Sequence, residues 1–198
     1  MNTLTRADFL NWAEPLGLGL DERYPNSAVV VFRPTSDHRR FWDVPPEPER
    51  RPSFIVSLLE LMGDWQSCHV WRHRGAWPEL AVSSPINEAV ERRILQGLGL
   101  PLGTSDVVEI PREELDTLVT LMFTTTVFGW SVREDLCVVP NNARYLLQTD
   151  HHDAVHVVFR SSEDLEHLVS GMERKGFPLP ESVPDATFKQ PSWMKGDG

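Results

Sequence analysis

Between residues 135 and 159 three short apolar runs alternate with two segments of turn chemistry, and that spacing constrains the fold more than any other feature of the chain. The runs are Asp135–Val139, Tyr145–Gln148 and Ala154–Phe159. Pro140-Asn141-Asn142-Ala143-Arg144 and Thr149-Asp150-His151-His152-Asp153 separate them, and Pro, Asn and Asp favour tight reversals. Parallel pairing needs a crossover of about a dozen residues or more, which these gaps do not supply. The segment therefore predicts a three-stranded antiparallel meander.

Helical patterns surround it. Thr5, with Asp8 three residues on, caps a short helix over residues 5–14 whose apolar face is Phe9, Leu10, Trp12 and Ala13. Ser53 is expected to cap a second helix ending at Gly63. Ser84-Pro85 opens a third, and Ile86, Ala89, Val90, Ile94 and Leu98 fall on one stripe. Pro111 opens a fourth, running out near residues 124–129. Ser161 caps a fifth with Leu165, Leu168, Val169 and Met172 on one side and Lys175-Gly176-Phe177 as its glycine stop. Residues 28–32 and 65–74 read as buried strands. The proline-dense stretch 44–52 reads as an extended, exposed connection that neither helix nor central strand tolerates. The class that follows is α+β: an antiparallel sheet with helices on one face. Gly97–Gly103 is a candidate boundary between two similar α/β halves, 1–98 and 104–178, with 179–198 a proline-rich tail. One continuous domain is equally compatible with the pattern.

Charge narrows the function. Residues 1–99 hold 11 Arg and Lys against 13 Asp and Glu, whereas residues 100–198 hold 8 against 16. Nucleic-acid affinity comes largely from neutralising phosphates with Lys and Arg, so nucleic acid is a poor partner for this chain. No apolar run is long enough to span a bilayer, and the opening residues do not read as a signal peptide. With Cys68 and Cys137 each inside an apolar stretch, a reduced, cytoplasmic protein is expected.

The surplus of carboxylates suggests a non-enzymatic acidic protein that docks a basic protein partner, resembling inhibitors and immunity proteins in composition only. Its expected contact residues are Glu134, Asp135, Asp150 and Asp153 at strand ends and turns. Trp42 and Trp77, beside polar or proline-rich turns, join them as aromatic anchors. The alternative is a metal-dependent hydrolase or metal-binding protein using Asp150, His151, His152 and His156, since imidazole and carboxylate are ligands for zinc-like ions. Strand alternation places His152 and His156 on one side, with Asp150 or His151 reaching in from the turn. His69 and His73 share a face of another strand. Exposed tryptophans and the proline-rich loop also allow self-association. No nucleophile elbow, phosphate loop or dinucleotide fingerprint is present, so no catalytic residue and no cofactor are assigned.

Overall fold

The computed structural model describes residues 1–21, 30–73, 77, 86–104, 106–128 and 135–181. In chain order the elements are β1 (Asn2–Leu4), α1 (Arg6–Ala13), β2 (Leu18–Leu20), β3 (Val30–Phe32), β4 (Arg39–Asp43), α2 (Arg51–Leu61), β5 (Ser67–Arg72), α3 (Ile86–Gly97), β6 (Val107–Pro111), α4 (Leu115–Phe128), β7 (Leu136–Pro140), β8 (Tyr145–Asp150), β9 (Ala154–Phe159) and α5 (Ser162–Arg174). Seven strands form one antiparallel sheet in the order β1-β6-β5-β7-β8-β9-β4, and β2 pairs with β3 apart from it. The fold is α+β, and β7, β8 and β9 are the expected meander. β6 lies between β1 and β5, and β4 closes the sheet against β9. Strands from residues 1–98 and from 104–178 thus interleave in a single sheet.

Strand alternation divides the interior into two apolar layers. Val70, Val108, Val138, Leu147, Val155 and Val157 point to the face covered by α2, α3, α4 and α5, with Phe54, Leu58, Leu95, Leu121 and Leu168 descending onto them. On the opposite face Trp71, Val107, Cys137, Val139 and Leu146 meet Phe9 and Ala13 of α1 together with Leu18, Val30 and Phe32 of the small sheet. The helices α2 and α5 approach closely because Gly171 carries no side chain: a Cβ there would stand 2.6 Å from Cδ2 of Leu61. At the end of α5, Gly176 adopts φ +83° and Phe177 N–H returns to Met172 O at 2.9 Å. The Phe177 ring then packs edge-on against Phe54, 5.4 Å between centroids, as the glycine stop predicts. The Thr5 cap is likewise present, its hydroxyl accepting from Asp8 N–H at 3.1 Å.

Several expectations are corrected. α2 begins at Arg51, ahead of Ser53, with Pro52 in its first turn and Pro48–Arg50 as a 3-10 turn before it. Proline lacks only a donor that the first turn leaves unused, so the end of the proline-rich stretch is helical. Pro111 is the last residue of β6, and α4 starts four residues later after a 3-10 turn. β1, β2 and β4 carry no apolar alternation long enough to mark them. Trp42 and Trp77, expected to stand out as anchors, are each 1% exposed. Trp42 is on the helix-facing side of β4, opposite Val155, and Trp77 Nε1 donates to Asp106 O at 3.0 Å. Both rings belong to the helix-covered core and present no face to a partner. Residues 22–29, Ser84-Pro85, Trp130, Glu134 and nearly all of the tail (182–198) lie outside the described residues. Among the described residues no helix is long and apolar enough to cross a membrane.

Candidate functional site

The β8–β9 hairpin closes through residues 151–153, with Asp150 paired to Ala154 and Asp153 in the left-handed region at φ +59°. A three-residue reversal of this kind needs one left-handed residue, and Asp is among the few side chains that tolerate it. Asp150 caps the turn: its Oδ1 accepts the backbone N–H of His152 at 2.9 Å. Asp135, just ahead of β7, holds the same turn from beneath, its Oδ1 accepting the backbone N–H of His151 at 2.8 Å. The hydroxyl of Thr149 accepts Leu136 N–H at 2.9 Å and ties the start of β7 to the end of β8.

Three imidazoles converge on these two carboxylates. His151 Nδ1 lies 3.1 Å and 3.2 Å from the oxygens of Asp135, and 3.4 Å from Asp150 Oδ1. His152 Nδ1 lies 2.8 Å from Asp150 Oδ1. His156, on the outward face of β9, brings Nε2 to 3.1 Å from Asp150 Oδ2. The rings of His151 and His152 lie beside each other with centroids 4.0 Å apart.

The two carboxylates occupy opposite electrostatic environments. Burial pushes the Asp135 carboxyl up to about 6, reinforced by the charge of Asp150 and opposed by His151. Burial would raise Asp150 too, but the bonds from His156 and from the ring and backbone of His152 outweigh it and hold that carboxyl well below the usual range. Asp150 is thus a persistent anion with three imidazoles around it.

One donor atom each from Asp150, His151 and His152 lies within 4.8 Å of the others, on three side chains that are neither fully buried nor fully exposed. Ligands about 2.1 Å from a tetrahedral ion stand about 3.4 Å from one another. The 3.4 Å spacing from Asp150 Oδ1 to His151 Nδ1 meets that requirement, and the 2.8 Å hydrogen-bond spacing to His152 Nδ1 needs to open by about 0.6 Å. The same nitrogens face carboxylate oxygens, so an entering ion replaces the hydrogen-bonding protons without a large rearrangement.

All four metal-ligand candidates of the sequence are thus brought together. His156 joins through the second oxygen of Asp150, since the turn at 151–153 interrupts the alternation that was to align it with His152. Asp135 was expected among exposed docking carboxylates; it is 2% exposed and belongs under His151. Asp153 is open to solvent, with Arg51 Nη2 at 3.8 Å. His69 packs against Phe9 and Trp12, whereas His73 Nδ1 reaches Gln148 Nε2 at 3.1 Å, one strand away from the cluster. The thiols Cys68 and Cys137 are free, and burial pushes Cys68 up to about 12 and Cys137 higher, so neither offers a thiolate. Comparison of the chain with family models, curated proteins and solved structures finds no match.

Proposed function

We propose that this protein binds a zinc-class divalent metal ion through Asp150, His151 and His152, with Asp135 holding the backbone N–H of His151 and His156 adjoining Asp150. The observation that carries this reading is the convergence of three donor atoms within 4.8 Å on one short turn. A mixed imidazole and carboxylate set favours zinc, nickel or cobalt over the oxygen-seeking magnesium and calcium. Three protein ligands leave such an ion a position for water or a further ligand.

Docking of a basic partner by the acidic surface draws on fewer observations. Of its four carboxylates, Asp135 is buried and Asp150 is engaged by histidines, while Glu134 lies outside the described residues; Trp42 and Trp77 are buried.

Equilibrium dialysis of the full chain against zinc, nickel and manganese, followed by elemental analysis, tests the proposal. Near-stoichiometric zinc or nickel is expected, with affinity falling about 100-fold or more in His151→Ala/His152→Ala. Equal retention by that double variant, or no retention by the unaltered protein, refutes it.

A further inference from the structure

A cavity of about 450 Å³ lies between the outward face of the large sheet and the β2–β3 pair, within the range of small-molecule pockets. Strand register explains its lining. Phe41, His156, Gln148, Cys137 and Trp71 form one row across β4, β9, β8, β7 and β5, and Arg39 stands opposite Val158 in the next row. Trp71, Val139, Leu146, Val158 and Phe32 give the cavity an apolar lining, whereas Arg39, His156 and Gln148 give it a polar portion. The Arg39 side chain is exposed, and its guanidinium makes no hydrogen bond or ion pair with any described residue. Asp21, the one carboxylate among the described lining residues, is buried and already engaged within the protein. Among the described lining residues the uncommitted charge is therefore positive, in a chain whose net charge is −10.

We propose that this cavity binds a small organic acid, its flat apolar body against Trp71, Leu146 and Val158 and its anionic group on the guanidinium of Arg39. A guanidinium grips a carboxylate through two parallel N–H donors, so the site selects an anion over its neutral amide. Gln148, already bound to His73, and His156, bound to Asp150, are held in place beside it. The cavity does not depend on a metal, and the test is made on metal-stripped protein so that its failure leaves the metal reading standing.

Isothermal titration of the full chain with naphthalene-2-carboxylate and naphthalene-2-carboxamide reads the proposal directly. The acid is expected to bind about tenfold or more tighter than the amide, as one charge-assisted pair allows. Arg39→Gln, at an exposed residue, should reduce the acid to the level of the amide. Leu146→Trp should fill the cavity and abolish binding of both, with Val158→Phe serving if that variant fails to fold. No binding by the acid, equal binding of the amide, or binding that survives the filled cavity overturns the assignment.

Discussion

Asp135 Oδ1 holds His151 twice, through the backbone N–H at 2.8 Å and through the ring Nδ1 at 3.1 Å. One buried oxygen therefore sets both the path of the β8–β9 turn and the direction of the imidazole. Asp135→Asn keeps an oxygen for the backbone N–H and removes a charge that burial disfavours, so folding stability should change by about 1 kcal/mol or less. Its metal affinity should nonetheless fall about tenfold, because the bound cation loses a nearby negative charge. Chemical denaturation and dialysis read the two effects separately. Unchanged metal affinity would remove Asp135 from the site.

Acid sensitivity has a source away from the metal cluster. Burial between Phe9 and Trp12 pushes His69 below its ordinary value, with Glu109 pulling the other way. As pH falls through about 6.5 the unfolded chain takes up a proton that folded His69 resists, so stability is lost on acidification. His69→Leu should lose less stability between pH 7 and pH 5.5 than the unaltered protein, measured as urea midpoints. Parallel losses in the two proteins would show that His69 is not responsible.

A buried ion pair joins β5 to α3. Arg72 and Glu91 are each 5% exposed at the side chain and bonded to one another, and the Arg72 guanidinium lies 5.8 Å from the Trp77 ring centroid. Removing one partner strands a charge in a dry site, so Glu91→Ala should cost about 3–5 kcal/mol. The double replacement Arg72→Met/Glu91→Met should cost much less, because no charge is then left unpaired. A double variant as damaged as the single one would contradict this account of the pair.

The contact between α2 and α5 makes a coupled prediction. Gly171→Ala gains up to about 1 kcal/mol of helix propensity but drives its new methyl into Leu61, and overpacking typically costs about 1–3 kcal/mol. Net destabilisation is expected. In a Leu61→Ala background the same change should stabilise, and thermal melts of the four proteins measure the reversal. The same sign in both backgrounds would place the strain elsewhere.

The meander and α5 were legible because β7–β9 are short apolar runs set off by turn residues and α5 repeats its apolar residues at helical spacing. β4 was hidden because Arg39, Arg40 and Asp43 are exposed on an edge strand, and only Trp42 is fully buried. The buried state of Trp42 depends on the pairing of β4 with β9, more than 110 positions away, and that of Trp77 on contacts distant in sequence such as its bond to Asp106 O, which neighbouring residues do not encode. The histidine candidates were legible because they crowd one turn. The place of Asp135 beneath His151, 16 positions away, depends on the pairing of β7 with β8 and has no local signal.

X-ray absorption at the zinc edge of the loaded protein examines the coordination shell itself. Two imidazole nitrogens and a carboxylate oxygen at about 2.0–2.2 Å are predicted, with the imidazole signature lost in His151→Ala/His152→Ala. Sulfur neighbours at about 2.3 Å, or a shell of oxygen alone, would contradict the assignment of Asp150, His151 and His152.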